Sequence, residues 1–408
     1  MRMQLTNRFF TILLGLIATS FPAFSQQSAT ATKPKSDSVK AFPIVNADFL
    51  FSYYEQDGDH GAVTGGKGTQ LLWDYAGKTV ISVQLDSHNV VGVTAGVDQY
   101  SSASTDNIDL NVSSASASDV RAYSNLNYTR KRNKQKSWTI GSGFSVEYDV
   151  TSVSANVGYN QLAKDENSGF GISGMYYNDN WSLIYPYEFR YRGPNPSPLL
   201  STNVRNLVGV NANYFRIINK RLQIGLYADF IQQWGLLSTP FHRVYFTDGS
   251  SDIERLPDKR WKVPLAARTS YFATDWLVLK WFNRYYMDGF GIQAFTSNLD
   301  ASFKVKRYWV ITPSYRYHSQ SAADYFQPFM GHATSAQFYT SDYDLAGLSS
   351  QKIGMALAYH PLYGRIPVRL RSMNRLIRLR SLDFRSGLFI RSDGLRANYF
   401  SFGASFSY

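Results

Sequence analysis

The feature that most constrains this chain is an alternation with a period of two residues. In VSANVGYN, Val153, Ala155, Val157 and Tyr159 fall on one face, and Ser154, Asn156, Gly158 and Asn160 on the other. LQIGLYADF sets Leu222, Ile224, Leu226, Ala228 and Phe230 against Gln223, Gly225, Tyr227 and Asp229, and VGVNANY repeats the pattern. Apolar residues alternating with polar ones mark a β-strand wet on one side only. A soluble sandwich carries Lys, Glu and Thr on its wet face. Here that face is mostly Gly, Ser, Asn and Tyr, which suits a crowded aqueous lumen with lipid on the apolar side.

Chain length fits this reading. Short polar turns such as RNKQKS (132–137), NDN (178–180), NKR (219–221), ATD (273–275) and KVKR (304–307) separate many of the segments. Longer loops rich in Pro, Gly, Ser and Asp, such as RGPNPSPLLSTN and FTDGSSDIERLPDKR, separate others. Short turns on one side and long loops on the other are the habit of outer-membrane barrels, and the spacing gives roughly 14 to 16 antiparallel strands. Aromatic clusters in WSLIYPYEFRY, DWLVLKWFNRYY and KRYWVI are expected to form girdles at the two interfaces. The predicted fold class is therefore all-β, one transmembrane antiparallel barrel over residues 45–408.

The N-terminus reads as a cleavable signal peptide over residues 1–25. Arg2 and Arg8 supply the basic region, Phe9 to Ala18 the apolar one, and Ala23 and Ser25 the small residues that precede cleavage before Gln26. Residues 26–44 are polar and lysine-bearing, as expected of a disordered linker. No later stretch approaches the ~20 apolar residues of a spanning helix. The chain has no cysteine, so disulfides, thiolate metal sites and a cysteine nucleophile are excluded.

The last residues, SFGASFSY, alternate as a final strand: Phe400, Phe402, Ala404, Phe406 and Tyr408 against Ser401, Gly403, Ser405 and Ser407. Ser401, Gly403, Phe406 and Tyr408 fill the defined positions of the assembly signal of outer-membrane barrels. By that resemblance, the barrel-insertion machinery captures this segment by strand addition. The stretches YYEQDGDHGAVTGGKGTQLLWD, GVDQYSSASTDNID and SSASASDVRAY resemble a family of exported proteins, domain of unknown function 3570, thought to be outer-membrane barrels of Gram-negative bacteria. The resemblance implies a fold and a location, with outer-membrane lipid and lipopolysaccharide as surroundings, and no established activity.

Two charged regions are the candidates for function. Residues 55–119 hold nine carboxylates against Lys67 and Lys78, and DGDHG places Asp57, Asp59 and His60 beside a glycine-rich turn. Hard oxygen ligands there suit calcium, although the spacing matches no twelve-residue calcium loop. No other cofactor is expected. Residues 364–396 carry nine arginines, Arg369, Arg371, Arg378 and Arg380 among them, against Asp383 and Asp393. Arginine on a lipid face costs about 2 to 4 kcal/mol at the midplane, so these belong in the lumen or at the rim. Three uses follow: an anion-selective lining, a grip on lipopolysaccharide phosphates, or a ladder sealed against the acidic region where first and last strands meet. The ladder is the favoured expectation, because the two regions carry opposite formal charges of 7.

A net charge of +12 does not imply nucleic acid in an exported chain without a binding module. The six histidines are scattered and no serine sits in a nucleophile elbow, so no enzyme is predicted. The serine-rich stretch at 101–119 is a loop or a lumen plug by composition. The functional expectation is a passive channel for small solutes, anions included. The alternatives are a closed barrel that presents loops to a periplasmic or surface partner and, last, an outer-membrane enzyme.

Overall fold

The computed structural model describes residues 43–101, 118–190, 199–361, 367–370 and 375–408. The leader, nearly all of the linker and residues 102–117 of the serine-rich stretch lie outside them. The strands are β1 (Ile44–Asp57), β2 (Leu72–Gln84), β3 (Asn89–Ser101), β4 (Ser118–Lys131), β5 (Lys136–Val146) and β6 (Val150–Leu162). They continue as β7 (Ser168–Trp181), β8 (Val204–Asn219), β9 (Leu222–Gly235), β10 (Arg243–Tyr245), β11 (Ser251–Ile253) and β12 (Lys259–Thr274). Then follow β13 (Leu277–Asp288), β14 (Gln293–Lys306), β15 (Trp309–Gln320), β16 (Leu348–Tyr359), β17 (Pro367–Leu370), β18 (Arg375–Arg391) and β19 (Arg396–Ser407).

Sixteen of these make one closed antiparallel barrel. Each pairs with its chain neighbour, β9 passes to β12 and β16 to β18, and β19 closes on β1. The closing register runs from Asn46↔Ser407 to Asp57↔Arg396. Tyr408 extends it, donating from its backbone N to Val45 O at 2.8 Å. The count falls within the predicted range. Barrel strands run from 11 to 17 residues, longer than the ~9 to 11 needed to cross lipid, so the sheet extends past the bilayer.

The alternation is realised with apolar residues outward. Ile140, Phe144, Val153 and Val157 are each at least half exposed on the outer surface, as an apolar belt facing lipid is. Trp276, Trp281 and Trp309 stand out on the same face. Between β4 and β6 the lumen side is almost neutral. Gly141 and Gly143 let Asn127 and Asn125 lie flat across β5, where a Cβ at either glycine would strike those amides.

One end of the barrel is trimmed tight. Asp86 accepts from the backbone N of His88 and Asn89, Asn133 from Gln135 and Lys136, and Asn219 from Arg221 and Leu222. These Asx turns close hairpins without long loops. Register shifts at Ile217/Asn219, Phe272/Thr274, Lys304/Lys306 and Leu379/Ser381 all fall at this same end, where bulges commonly add twist at a barrel rim. NDN at 178–180 is not a turn but the end of β7. Asp179 there pairs with Arg205 at 2.8 Å and Asn178 bonds Asn206 at 2.9 Å across to β8, so polar residues expected to bend the chain satisfy each other between strands.

The other end carries long loops, and they hold the apolar core. Three buried clusters form there: Leu256, Phe290, Ile292 and Ala323; Leu200, Leu236 and Ile253; and Val244, Phe246 and Tyr339. Trp181, Leu183, Tyr185 and Phe189 pack against the second cluster. The aromatics of WSLIYPYEFRY therefore serve this cap, where a girdle was expected. The cap is tied to the rim by Asp288, whose side chain is fully buried. It accepts from Arg260 Nε and Tyr286 Oη at 2.9 and 2.6 Å and from the backbone N of Phe290 at 2.9 Å. Arg243, in the β10–β11 hairpin, joins Glu188 and Val63 O and so links three loops.

Candidate functional site

The lumen surface is the candidate site, and its charge is laid out in two walls. On β1 to β4 the residues that alternate away from lipid include Asp48, Asp74, Asp98 and Asp119, with Lys78 and Arg121 among them. On β12 to β18 the lumen side carries Arg268, Lys280, Arg284, Arg316, Lys352 and Arg385, with Asp300 in register opposite Lys280 and Asp383 two residues from Arg385. Sixteen strands in a ring put β2, β3 and β4 diametrically opposite β12, β13 and β14. The acidic wall therefore faces Arg268, Lys280 and Arg284 across the lumen, while Arg316, Lys352 and Arg385 continue around the ring opposite β5, β6 and β7.

Each basic residue is placed by the alternation. Arg268 pairs in register with Gly225 on one side and Phe282 on the other, and so shares their inward face. Its guanidinium lies 5.7 Å from the Phe282 ring centre and 6.0 Å from that of Tyr227. Arg316 Nε donates to Asn298 Oδ1 at 3.3 Å, and Lys352 sits 3.7 Å from the centre of the Tyr399 ring. Among the described residues, none of the six has a carboxylate within ion-pair distance. All but Lys352 are exposed, and because they point inward, that exposure is to space inside the barrel.

Above the acidic wall, the long-loop end encloses a cavity of about 520 Å³. It is bordered by Tyr54, Tyr100, Asp119, Glu147, Asp149 and Arg391 along with cap residues. Carboxylate oxygens of Asp119, Glu147 and Asp149 come within 4.8 Å of one another. Burial pushes the Glu147 carboxyl above its usual range, and the charges of Asp149 and Asp98 push it further. Asp149 is raised as well, by burial first and by Asp119 besides, against its own backbone hydrogen bond.

The residues singled out from sequence land elsewhere. Asp57 ends β1 and accepts from the backbone N of Gly58 at 2.9 Å. His60 Nδ1 lies 3.1 Å from Gly66 O, and its ring stacks on Tyr343 with centres 3.8 Å apart. Asp57, Asp59 and His60 do not bring ligand atoms together, because the turn spends the histidine on its own backbone. Arg378 lies opposite Ser407, and Arg380 donates to Asn46 at 3.1 Å. Both are exposed at the short-turn rim. Arg369 is described only by its backbone in β17, and Arg371 lies outside the described residues.

The expected acid–arginine ladder is not formed among the described residues. Arg391 pairs with Asp344 and Asp393, both outside the acidic stretch. Strands β19 and β1 stand between β18 and β2, a separation of roughly 14 Å at the usual strand spacing. At mid-height Ser401, Gly403 and Ser52 leave that gap uncharged; Asp48 lies nearer the short-turn end, and Asp57 and Arg396 come opposite each other only at the long-loop end, without an ion pair. Of the assembly-signal positions, Ser401, Gly403 and Phe406 lie on β19, and Tyr408 follows it at the seam. The basic wall itself escaped sequence reading, since it contributes one or two cations per strand; the register of neighbouring strands is the signal that collects them.

Solved structures with a similar trace include the OccK1 (OpdK) channel of Pseudomonas aeruginosa, at 8% identity and a TM-score of 0.42, covering 90% of this chain and 98% of that one. A bacterial polysaccharide outer membrane secretin matches at 12% identity and 0.47, covering 89% and 98%. A BenF-like porin from Pseudomonas fluorescens Pf-5 matches at 7% and 0.41, covering 89% and 99%. Values this low carry no functional inference. No curated protein matches the sequence. The model of a family described as protein of unknown function, DUF3570, matches residues 13–368, and the chain belongs to that family.

Proposed function

We propose that this protein is a passive outer-membrane channel for small polar solutes, with a basic wall that favours anions. The observation that carries the reading is the set of six inward-facing cations, none of which has a carboxylate within ion-pair distance among the described residues. An unpaired charge shut away from water costs several kcal/mol. These side chains are instead exposed to the interior, so the lumen has room for water and for the counter-ions they attract. Opposed acidic and basic walls impose a transverse field on anything that passes, which orients dipolar solutes and slows those of the wrong charge.

The reading assigns no catalysis to the chain. It places the apolar belt in outer-membrane lipid, with Arg378 and Arg380 at the short-turn rim on the periplasmic side. The C-terminal strand is the segment offered to the insertion machinery. The test is conductance of the purified, folded protein in a planar bilayer under a salt gradient. Steady openings with an anion-biased reversal potential are expected. Silence from folded protein would overturn the channel.

A further inference from the structure

We propose that His242, Glu254 and Asp342, on the loop cap, form a binding site for a zinc-class divalent cation. The three come from separate segments: His242 just before β10, Glu254 just after β11, and Asp342 from the long connection between β15 and β16. Folding of the cap brings one ligand atom from each within 4.8 Å of the others. His242 Nδ1 lies 3.7 Å from Glu254 Oε1 and 3.9 Å from Asp342 Oδ2.

Those separations are too long for hydrogen bonds. They are close to the ~3.4 Å edge of a tetrahedron built on metal–ligand bonds of about 2.1 Å. The second observation is independent of the spacing. His242 Nδ1 is buried and has no hydrogen-bond partner. By contrast, His60, His88, His318 and His332 each place a ring nitrogen against an oxygen of the protein at 2.9 to 3.1 Å. A buried ring nitrogen aimed at two carboxylates and bonded to nothing is the arrangement a cation would complete.

The surrounding contacts hold the carboxylates in place as outer-shell partners do. Glu254, 2% exposed, accepts from the Thr340 hydroxyl at 2.6 Å and the Thr239 backbone N at 2.7 Å. Asp342 Oδ1 accepts from the Asp344 backbone N at 2.9 Å, which leaves Oδ2 turned to the site. Phe241, His242 and Asp342 border the 520 Å³ cavity, so water can supply a fourth ligand from that side. One imidazole with two carboxylates suits a borderline cation; calcium takes six to eight oxygens and magnesium keeps most of its water. A bound ion would pin the β9–β12 connection to the β15–β16 connection and so fix the cap over the mouth.

The experiment uses untagged, full-length folded barrel stripped with a chelator and equilibrated with zinc, and with cobalt as a spectroscopic probe. One zinc per chain and tetrahedral cobalt absorption are expected. His242→Ala and Asp342→Asn should each weaken zinc binding at least tenfold, while Asp119→Asn with Asp149→Asn should leave it unchanged. Heat-modifiable gel mobility reports that each variant keeps its barrel. Two results would overturn the site: no zinc retained at micromolar concentrations by folded wild type, the histidine then simply bridging two carboxylates as a cation, or full stoichiometry in both His242→Ala and Asp342→Asn.

Discussion

The two walls of the lumen differ in more than sign. On the acidic side the carboxylates are crowded and mixed with opposite charge: Asp98 stands near Lys78 and Arg121, and Asp119, Glu147 and Asp149 share one corner of the mouth. On the basic side the cations outnumber Asp300 and Asp383 and are spread over β12 to β18, held by aromatic faces and an amide without an ion pair among the described residues. A crowded cluster lowers its own charge by taking up protons. A dispersed row of arginines keeps its charge at any physiological pH. The basic wall is thus a permanent field and the acidic mouth an adjustable one.

The largest break in this contrast comes from emptying the basic wall. Replacing Arg268, Arg284, Arg316 and Arg385 by Ser together should cut the anion-to-cation permeability ratio about tenfold, read as a shift in reversal potential. Barrel stability should hardly change, because no ion pair is lost. An unchanged ratio would mean that the ions pass elsewhere.

Neutralising the other side should act in the opposite sense and less strongly. Asp119→Asn, Glu147→Gln and Asp149→Asn combined should raise anion preference about threefold. Acidification should mimic part of that change. With carboxyls raised above their usual range, Glu147 and Asp149 take up protons as pH falls before ordinary carboxylates do, so anion preference should increase on that descent. The pH response should disappear in the triple variant, and its persistence would assign it to other groups. The smallest effect is expected at the short-turn rim, where Arg378→Ser and Arg380→Ser should change the ratio by less than about a quarter, since exposed charges at a wide mouth are screened within ~8 Å.

The cap allows a separate comparison of stability. Phe290→Ala, at a site 1% exposed, should destabilise the cap by about 3–5 kcal/mol. Phe144→Ala on the lipid face, 53% exposed, leaves no cavity in the protein. Hydrogen exchange resolved by segment would measure both.

Much of the fold was legible in the sequence because lipid enforces alternation on every strand: Val153 and Leu226 could be placed without any knowledge of their neighbours. The cap was not, because Phe290, Val244 and Ile253 come from irregular segments with no period, and the cap aromatics mimic a girdle. The site was read less well for a related reason. Composition draws attention to runs, such as the nine arginines of 364–396, whereas a lumen is assembled across strands. Arg284 and Arg316 share a wall only because β13, β14 and β15 pair in a particular register. His242, Glu254 and Asp342 span 100 residues and meet only once the cap has packed.

That packed cap has a consequence for how the protein meets its surroundings. Extended surface loops usually offer slack chain to proteases, which must draw a stretch of backbone into their clefts before they can cut. In the connections 236–258 and 321–347 the backbone is instead held by a buried interior of its own and by Asp288 beneath it. A protease should find these segments closed while the barrel is intact, and a single cavity made at Phe290 should open them to cleavage with the wall of strands still standing.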